Sequence, residues 1–232
     1  MSNFQQFEVL SFDCYGTLIN WESGILLAFQ TILSNHNIHV SDREILELFA
    51  QQESMQESGD YLKYRDVLKN VVHDFGKTFN FTPTDSEANA LAESIQHWEP
   101  FPDTVEALKA LKKRYKLAII SNIDDELFAH TAQKLEVEFD WLITAEQVKS
   151  YKPSVQNFEM AIQRMGITPE KLLHVAQSIY HDIIPAKTLG ITAVWVNRRK
   201  GQEGFGATAP ASSNPDLEVS DLNSLVSLMG LD

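Results

Sequence analysis

Cysteine occurs once in these 232 residues, at Cys14, so no internal disulfide can form. The chain therefore suits a reducing compartment. Basic residues are scarce: 19 Lys and Arg stand against 32 Asp and Glu, a formal net charge of −13. That balance lacks the basic footprint of general nucleic-acid binding and disfavours an anionic membrane surface. A small anionic substrate stays compatible, because a few local donors override a distant net charge. No apolar run approaches membrane-spanning length. No basic segment followed by an apolar stretch marks a signal peptide at the N-terminus. A soluble cytoplasmic protein is expected. No repeat, low-complexity tract or histidine–acid cluster with metal-ligand spacing is visible. What is present is apolar matter: 44% of the residues are hydrophobic, enough for one large domain or a core with an inserted lobe.

Two regimes follow one another. From about residue 20 to residue 97 the pattern is helical. Ser41 with Glu44 forms a capping-box pattern before Ile45-Leu46-Glu47-Leu48-Phe49. Tyr61 to Phe75 carries Leu62, Val67, Leu68, Val71 and Val72 at helical spacing. Thr82-Pro83-Thr84-Asp85 opens another helix. From Pro100 onward helices and strands alternate. Helices are expected over Phe101–Leu111, near Asp124–Leu135, over Phe158–Met165 and up to Leu189. Strands are expected over Lys116–Ile120, Trp141–Ile143, Leu172–Ala176 and Ile191–Val196, and residues 200–215 read as a surface loop. Alternation of this kind predicts a parallel sheet with helices on both faces. The apolar run Phe7–Phe12 supplies a first strand, which makes the helical block an insertion after it.

Four polar groups follow buried strands. Asp13 ends the first run, and Gly16 lets the chain turn behind it. Ser121 and Asn122 follow Ile119-Ile120, Lys152 follows the short third strand and its loop, and Asp182 lies past strand 172–176. In an open parallel sheet these ends face one crevice. Each alone reads as a cap, a turn or a solvated charge. Together they form a carboxylate, a hydroxyl, an amide and an ammonium of complementary type.

Asp13-Cys14-Tyr15-Gly16-Thr17-Leu18, Ser121-Asn122, Lys152-Pro153 and Asp182 resemble the four motifs of the haloacid dehalogenase superfamily. Tyrosine two places after the aspartate is similar to the 2-haloacid dehalogenase branch. The resemblance implies an α/β fold: a Rossmann-like parallel core over residues 1–19 and 100–232 with helices on both faces, and an inserted helical cap domain over residues 20–99. It implies a hydrolase of carbon–halogen bonds working through an aspartyl ester without a metal. By resemblance Asp13 is the nucleophile, Thr17 steadies it, Lys152 keeps it ionised, and Asp182 pairs with the lysine and helps position water. Ser121 and the backbone amides near Cys14 and Tyr15 would hold the substrate carboxylate. Asn122 would touch the departing halide. The branch also implies a homodimer.

The chemistry gives that tyrosine its meaning. Phosphoryl transfer in this fold needs an acid two places after the nucleophile and carboxylates for magnesium. Tyr15 is a poor acid at neutral pH, and Gln177 stands where phosphatases carry an acidic residue. A halide leaves as a stable anion and needs neither device. The alternatives are a magnesium-dependent phosphatase of a small metabolite, with Asp13 and Asp182 holding the ion weakly, and a non-catalytic ligand-binding protein on the same scaffold. The chain departs from the dehalogenase pattern too. The cap arginine expected to receive halide is missing from Leu48-Phe49-Ala50-Gln51-Gln52, leaving only Arg43 and Arg65 in the cap, and Arg65 reads as a solvated helix face. Phe158, Gln177 and Ile179 replace a tyrosine, a serine and an asparagine. His174 reads as a satisfied core histidine, His130 as helical surface, and His181 as a residue able to line the crevice. Trp21, Trp98, Trp141 and Trp195 read as packing residues.

Overall fold

A computed structural model describes residues 4–231. Six strands form one parallel sheet: β1 (Val9–Phe12), β2 (Lys116–Ser121), β3 (Trp141–Thr144), β4 (Leu172–Ala176), β5 (Thr192–Val196) and β6 (Leu217–Val219). Their order is β3-β2-β1-β4-β5-β6, every pair parallel. The chain therefore leaves β1 to one side for β2 and to the other for β4, and this reversal opens a crevice at the C-terminal ends of β1, β2 and β4.

Period-2 alternation explains why the strands read as unbroken apolar runs. Leu10, Phe12, Leu117, Ile119, Leu173, Val175, Val194 and Val196 fall in one apolar cluster. Val9, Ala118, Ile120, Leu172 and Ala193 fall in a second, on the opposite face. The first face is covered by α5 (Thr104–Lys112), α6 (Asp125–Leu135) and α10 (Leu222–Leu228). The second is covered by α8 (Gln156–Met165) and α9 (Ile184–Thr188). A short α7 (Ala145–Val148) follows β3 directly.

Four helices separate β1 from α5: α1 (Trp21–Asn35), α2 (Asp42–Glu57), α3 (Tyr64–Phe79) and α4 (Asp85–Ser94). Each starts where polar chemistry tells it to. Ser41 accepts a hydrogen bond from the Glu44 amide, and Thr84 with Glu87 completes a reciprocal capping box. At α3 the cap comes from far along the chain. The Asp124 carboxylate accepts from the Tyr64 and Arg65 amides, both at 2.9 Å, so an acid at the mouth of the sheet satisfies the N-terminus of an inserted helix. Trp21, Phe29, Phe49 and Phe75 continue the first apolar cluster into the four helices.

Gly24 marks the closest packing of this block. A Cβ there would lie 2.2 Å from the Trp98 indole. Helix propensity favours alanine over glycine by about 1 kcal/mol, whereas forcing an atom into a filled contact costs about 1–3 kcal/mol. Gly24→Ala is therefore expected to lower Tm in a thermal melt; a rise would show that Trp98 yields without cost.

The sheet matches the expected α/β architecture, with differences at the C-terminal end. β6 and α10 carry no strong periodicity and escape a sequence reading. The helix expected up to Leu189 begins instead as a π-helical turn, Ile179–Ile183, before α9. The loop over 200–215 is not wholly superficial: Ala207 and Thr208 are buried, held where the Ala207 amide donates to Glu22. Helix α3 begins at Tyr64 rather than Tyr61. No helix among the described residues is long and apolar enough to cross a membrane.

Candidate active site

Asp13 stands one residue beyond β1, with its amide bonded to the Val175 carbonyl at 3.1 Å. The chain then reverses within a few residues: Gly16 takes φ of +91°, and Trp21 Nε1 packs 2.8 Å from where a Cβ would be. Only glycine meets both conditions. Arg198, beyond β5, secures this loop by donating to the Thr17 carbonyl at 2.9 Å while its guanidinium grips both oxygens of Asp103.

The turn brings Thr17 back over the carboxylate. Thr17 Oγ1 donates to Asp13 Oδ2 at 2.6 Å, and accepts from the Gln177 amide at 2.9 Å. Lys152 Nζ reaches the other oxygen, Asp13 Oδ1, at 2.9 Å. The same ammonium donates to Asp182 Oδ1 at 2.6 Å and to the Ile120 carbonyl at 2.9 Å. Its three donors are thus all satisfied, which is what permits a lysine side chain only 2% exposed. A solvated Lys152 is excluded by this geometry.

A second layer holds Asp182. His174 Nε2 is 2.9 Å from Asp182 Oδ1. His174 Nδ1 is 2.8 Å from Ser11 Oγ, its neighbour in the β1–β4 register. His174 is the satisfied core histidine expected, and it is also the support that orients Asp182.

Burial drives the electrostatics. It pushes the Asp13 carboxyl above the ordinary carboxylate range, with Lys152 and the Thr17 hydroxyl opposing and Asp182 adding repulsion. Burial would also raise Asp182, but Lys152 and the His174 hydrogen bond outweigh it and hold that acid below its usual value. Burial would lower Lys152, yet two carboxylates keep its pKa raised and the ammonium charged.

These groups line a cavity of about 30 Å³ together with Tyr15, Ser121, Asn122, Ser178, His181 and Thr208. Cys14 and Thr17 stand behind that wall; the Cys14 side chain is fully buried. The Cys14 and Tyr15 amides take no hydrogen bond among the described residues, so both remain available as donors. The Tyr15 hydroxyl is tied to Thr131 at 2.8 Å, and burial raises its pKa well above 10. Asn122 clasps the backbone of Lys152: its Oδ1 accepts from Lys152 N at 2.7 Å, and its Nδ2 donates to Lys152 O at 3.0 Å. Phe158 packs edge-on against His174.

The inserted helices close the cavity with acids, a feature the sequence reading missed. Glu53 and Glu57 line it from α2, and Tyr64 from the start of α3. Glu53 continues the buried stripe Ile45, Leu46, Phe49, Ala50, and Glu57 lies one turn further on. An acid inside an apolar stripe was the available signal. Neither arginine of this block arrives: Arg43 pairs with Glu47, and Arg65 lies near Glu126. Trp21, assigned to packing, lines the cavity as well.

Glu53 accepts a short hydrogen bond from the Tyr64 hydroxyl, and burial with the nearby Asp13 pushes it up to about 8. A carboxyl raised on folding stabilises the fold fully below its unfolded pKa and loses that contribution as pH climbs toward the folded value. Stability is thus expected to fall between pH 4.5 and pH 8 through this group, at about 1.4 kcal/mol per pH unit. Glu53→Gln removes the slope. Urea unfolding at pH 5 and pH 8 checks it: a wild-type-minus-variant difference independent of pH would contradict the assignment.

Magnesium fits these residues poorly. The ion needs a cluster of oxygen ligands, whereas the Lys152 ammonium lies bonded between Asp13 and Asp182, and Tyr15 and Gln177 occupy the places of further acids.

A family model described as haloacid dehalogenase-like hydrolase matches residues 7–190. The chain belongs to that family. Among curated relatives, haloacetate dehalogenase H-2 of Moraxella sp. (strain B) is 27% identical over 231 residues, covering 98% of this chain and 100% of the relative. A glyceraldehyde 3-phosphate phosphatase of Methanothermobacter thermautotrophicus is 36% identical over a shorter stretch of 101 residues, 42% of this chain and 45% of that one. The structure of L-2-haloacid dehalogenase from Xanthobacter autotrophicus with chloropropionic acid covalently bound aligns with a TM-score of 0.80 at 19% identity, over 97% of this chain and 98% of the other. That likeness is one of fold.

Proposed function

We propose that this hydrolase releases halide from short 2-haloacids through an ester on Asp13. The observation that carries the reading is a carboxylate with one oxygen held by a lysine ammonium and the other by a hydroxyl, at the crevice of a parallel sheet, with tyrosine rather than a second acid two places on. Asp13 attacks the substrate carbon, a C–O bond forms, and the C–X electron pair leaves with the halide. Water then adds to the carbonyl carbon of the ester and restores the carboxylate. Asp182 Oδ2, buried without a hydrogen-bond partner among the described residues, gives that water an acceptor. Ser121 and the free amides of Cys14 and Tyr15 supply donors for the substrate carboxylate.

The full-length likeness to a haloacetate dehalogenase supports this over the phosphatase reading. So does Tyr15, whose hydroxyl is bonded to Thr131 and poorly suited to protonate an alkoxide. The inserted helices, which bring Glu53, Glu57 and Tyr64 over the crevice, act as a cap that excludes water from the reacting atoms. The lone buried thiol supports a cytoplasmic setting.

A single turnover in oxygen-18 water tests the route. Excess enzyme with chloroacetate is expected to place the label in Asp13 and leave the first product molecules unlabelled. Label in the product alone would replace the ester with direct attack by water.

A further inference from the structure

Asp13, Asp182, Glu53 and Glu57 all line the active cavity, and Lys152 is the one ammonium among them. Lys152 is taken by Asp13 and Asp182. Glu53 and Glu57 are deeply buried, Glu53 4% exposed and the Glu57 side chain 6%, and their hydrogen-bond donors are neutral. Glu53 accepts from the Tyr64 hydroxyl, and Glu57 accepts from Asn122 Nδ2 at 3.2 Å. The arginines of the inserted helices go elsewhere, Arg43 to Glu47 and Arg65 to Glu126.

His181 points independently to the same place. It is 8% exposed and lies in the cavity wall, yet its Nε2 has no hydrogen-bond partner among the described residues. It stands 3.9 Å from Glu57 Oε2. That gap is too long for a hydrogen bond, and a donor atom about 3 Å from each fits between them. No three His, Cys, Asp or Glu side chains among the described residues are placed to hold a metal ion. An ammonium suits the arrangement better, because its three N–H donors match two carboxylates and an imidazole nitrogen.

We propose that Glu53, Glu57 and His181 bind a protonated amine of the substrate, so that the preferred substrates are 2-haloacids carrying an ammonium group as well as the carboxylate. This names a substrate class for the Asp13 reaction and rests on that reading. The carboxylate end meets Ser121 and the Cys14 and Tyr15 amides on the sheet, and the amine end meets α2. Burial, with Asp13 adding to it and Tyr64 opposing, pushes Glu53 up to about 8. Burial and then Glu53 raise Glu57 well above its ordinary value, against Lys152 and Asn122. Both acids therefore hold protons at neutral pH, and a cation beside them favours their ionised forms. Burial lowers His181 to about 4, leaving a neutral imidazole able to accept. The titratable groups facing the two acids are Asp13 after β1, Tyr64 on α3, Tyr151 and Lys152 from the loop after β3, and His181. Binding of an amine is thus accompanied by release of protons from the protein.

Isothermal calorimetry at pH 7 compares 4-aminobutanoate with pentanoate, which puts a methyl group where the ammonium stands. The wild type is expected to bind the amine at least about tenfold more tightly, the effect of one buried hydrogen bond between charged groups. It should also release more protons with the amine, read as the slope of binding enthalpy against buffer ionisation enthalpy. Glu57→Gln should erase the preference. Pentanoate binding as tightly, binding of neither, or a preference that survives Glu57→Gln would overturn the site. Should the variant fold poorly in a thermal melt, the wild-type comparison decides alone. Turnover separates the two readings, with 4-amino-2-chlorobutanoate set against 2-chloropentanoate. A kcat/KM at least about tenfold higher for the amine is expected. Equal values with Asp13 alkylated would remove the amine and leave the nucleophile. No chloride from either and no alkylated Asp13 by mass spectrometry, with the binding preference intact, would remove the nucleophile and leave the cation site.

Discussion

Lys152→Met is expected to cost turnover on the order of 10³-fold, the upper range for deleting one pre-positioned electrostatic contact. It should also cost about 3–5 kcal/mol of folding stability. Both effects come from one ammonium. It bonds Asp13 at 2.9 Å and Asp182 at 2.6 Å, deep in the protein. Without it, two buried carboxylates face each other with no cation, and one must take a proton to relieve the repulsion. Asp13 is the one expected to do so: its carboxyl is already pushed upward by burial, whereas His174 continues to hold Asp182 ionised. A protonated Asp13 is no nucleophile. Urea denaturation together with initial rates of halide release reads both quantities. Wild-type stability paired with lost activity would mean that Asp13 and Asp182 share a proton without strain. Retained activity would mean that the nucleophile lies elsewhere.

Asp13→Asn should remove turnover more completely, by about 10⁴-fold or more, as deleting a covalent nucleophile does. The fold should be little affected. The amide keeps the shape of the side chain, its one carbonyl oxygen can still accept from Lys152 while its NH2 turns to Thr17 Oγ1, and it ends the repulsion with Asp182 that the carboxylate suffers in the native site. The variant is thus expected to melt at or above the wild-type temperature while releasing no measurable halide. A variant keeping more than a tenth of the wild-type rate would rule out the ester. A variant that is inactive because it is unfolded would show instead that the Lys152 network depends on the full charge of Asp13.

The two variants separate effects that a single inactive mutant would merge. One removes the nucleophile and leaves the charge pair Lys152–Asp182 intact. The other removes the cation on which both acids depend. Opposite shifts in stability, with losses of activity in both, would be the signature of a carboxylate held ionised against its environment.

Much of this site is legible along the chain because parallel sheets present their C-terminal strand ends on one side. Four short apolar runs, each followed by a polar group, therefore specify a crevice before any coordinate is known. Asp13, Ser121, Asn122, Lys152 and Asp182 were all found in that way. Gly16 is legible for a local reason, since its left-handed φ is required within four residues of the nucleophile. The supports were not legible. Ser11 and His174 lie 163 positions apart and meet only through strand register. The Asp124 carboxylate caps a helix that begins 60 positions earlier.

The sequence by itself determined the chemistry at the sheet: strand periodicity and turn residues are short-range properties, and they fixed which side chains stand at the strand ends. Only the tertiary structure decided what faces them. Glu53, Glu57 and Tyr64 reach the cavity because α2 and α3 pack over it, and that packing runs through ring contacts of Phe29 with Phe49 and Phe75 from three different helices rather than through any local motif. The state of the two glutamates was likewise undetermined in one dimension. Burial raises both carboxyls because it removes the water that would stabilise their charge, and burial is a property of the assembled fold.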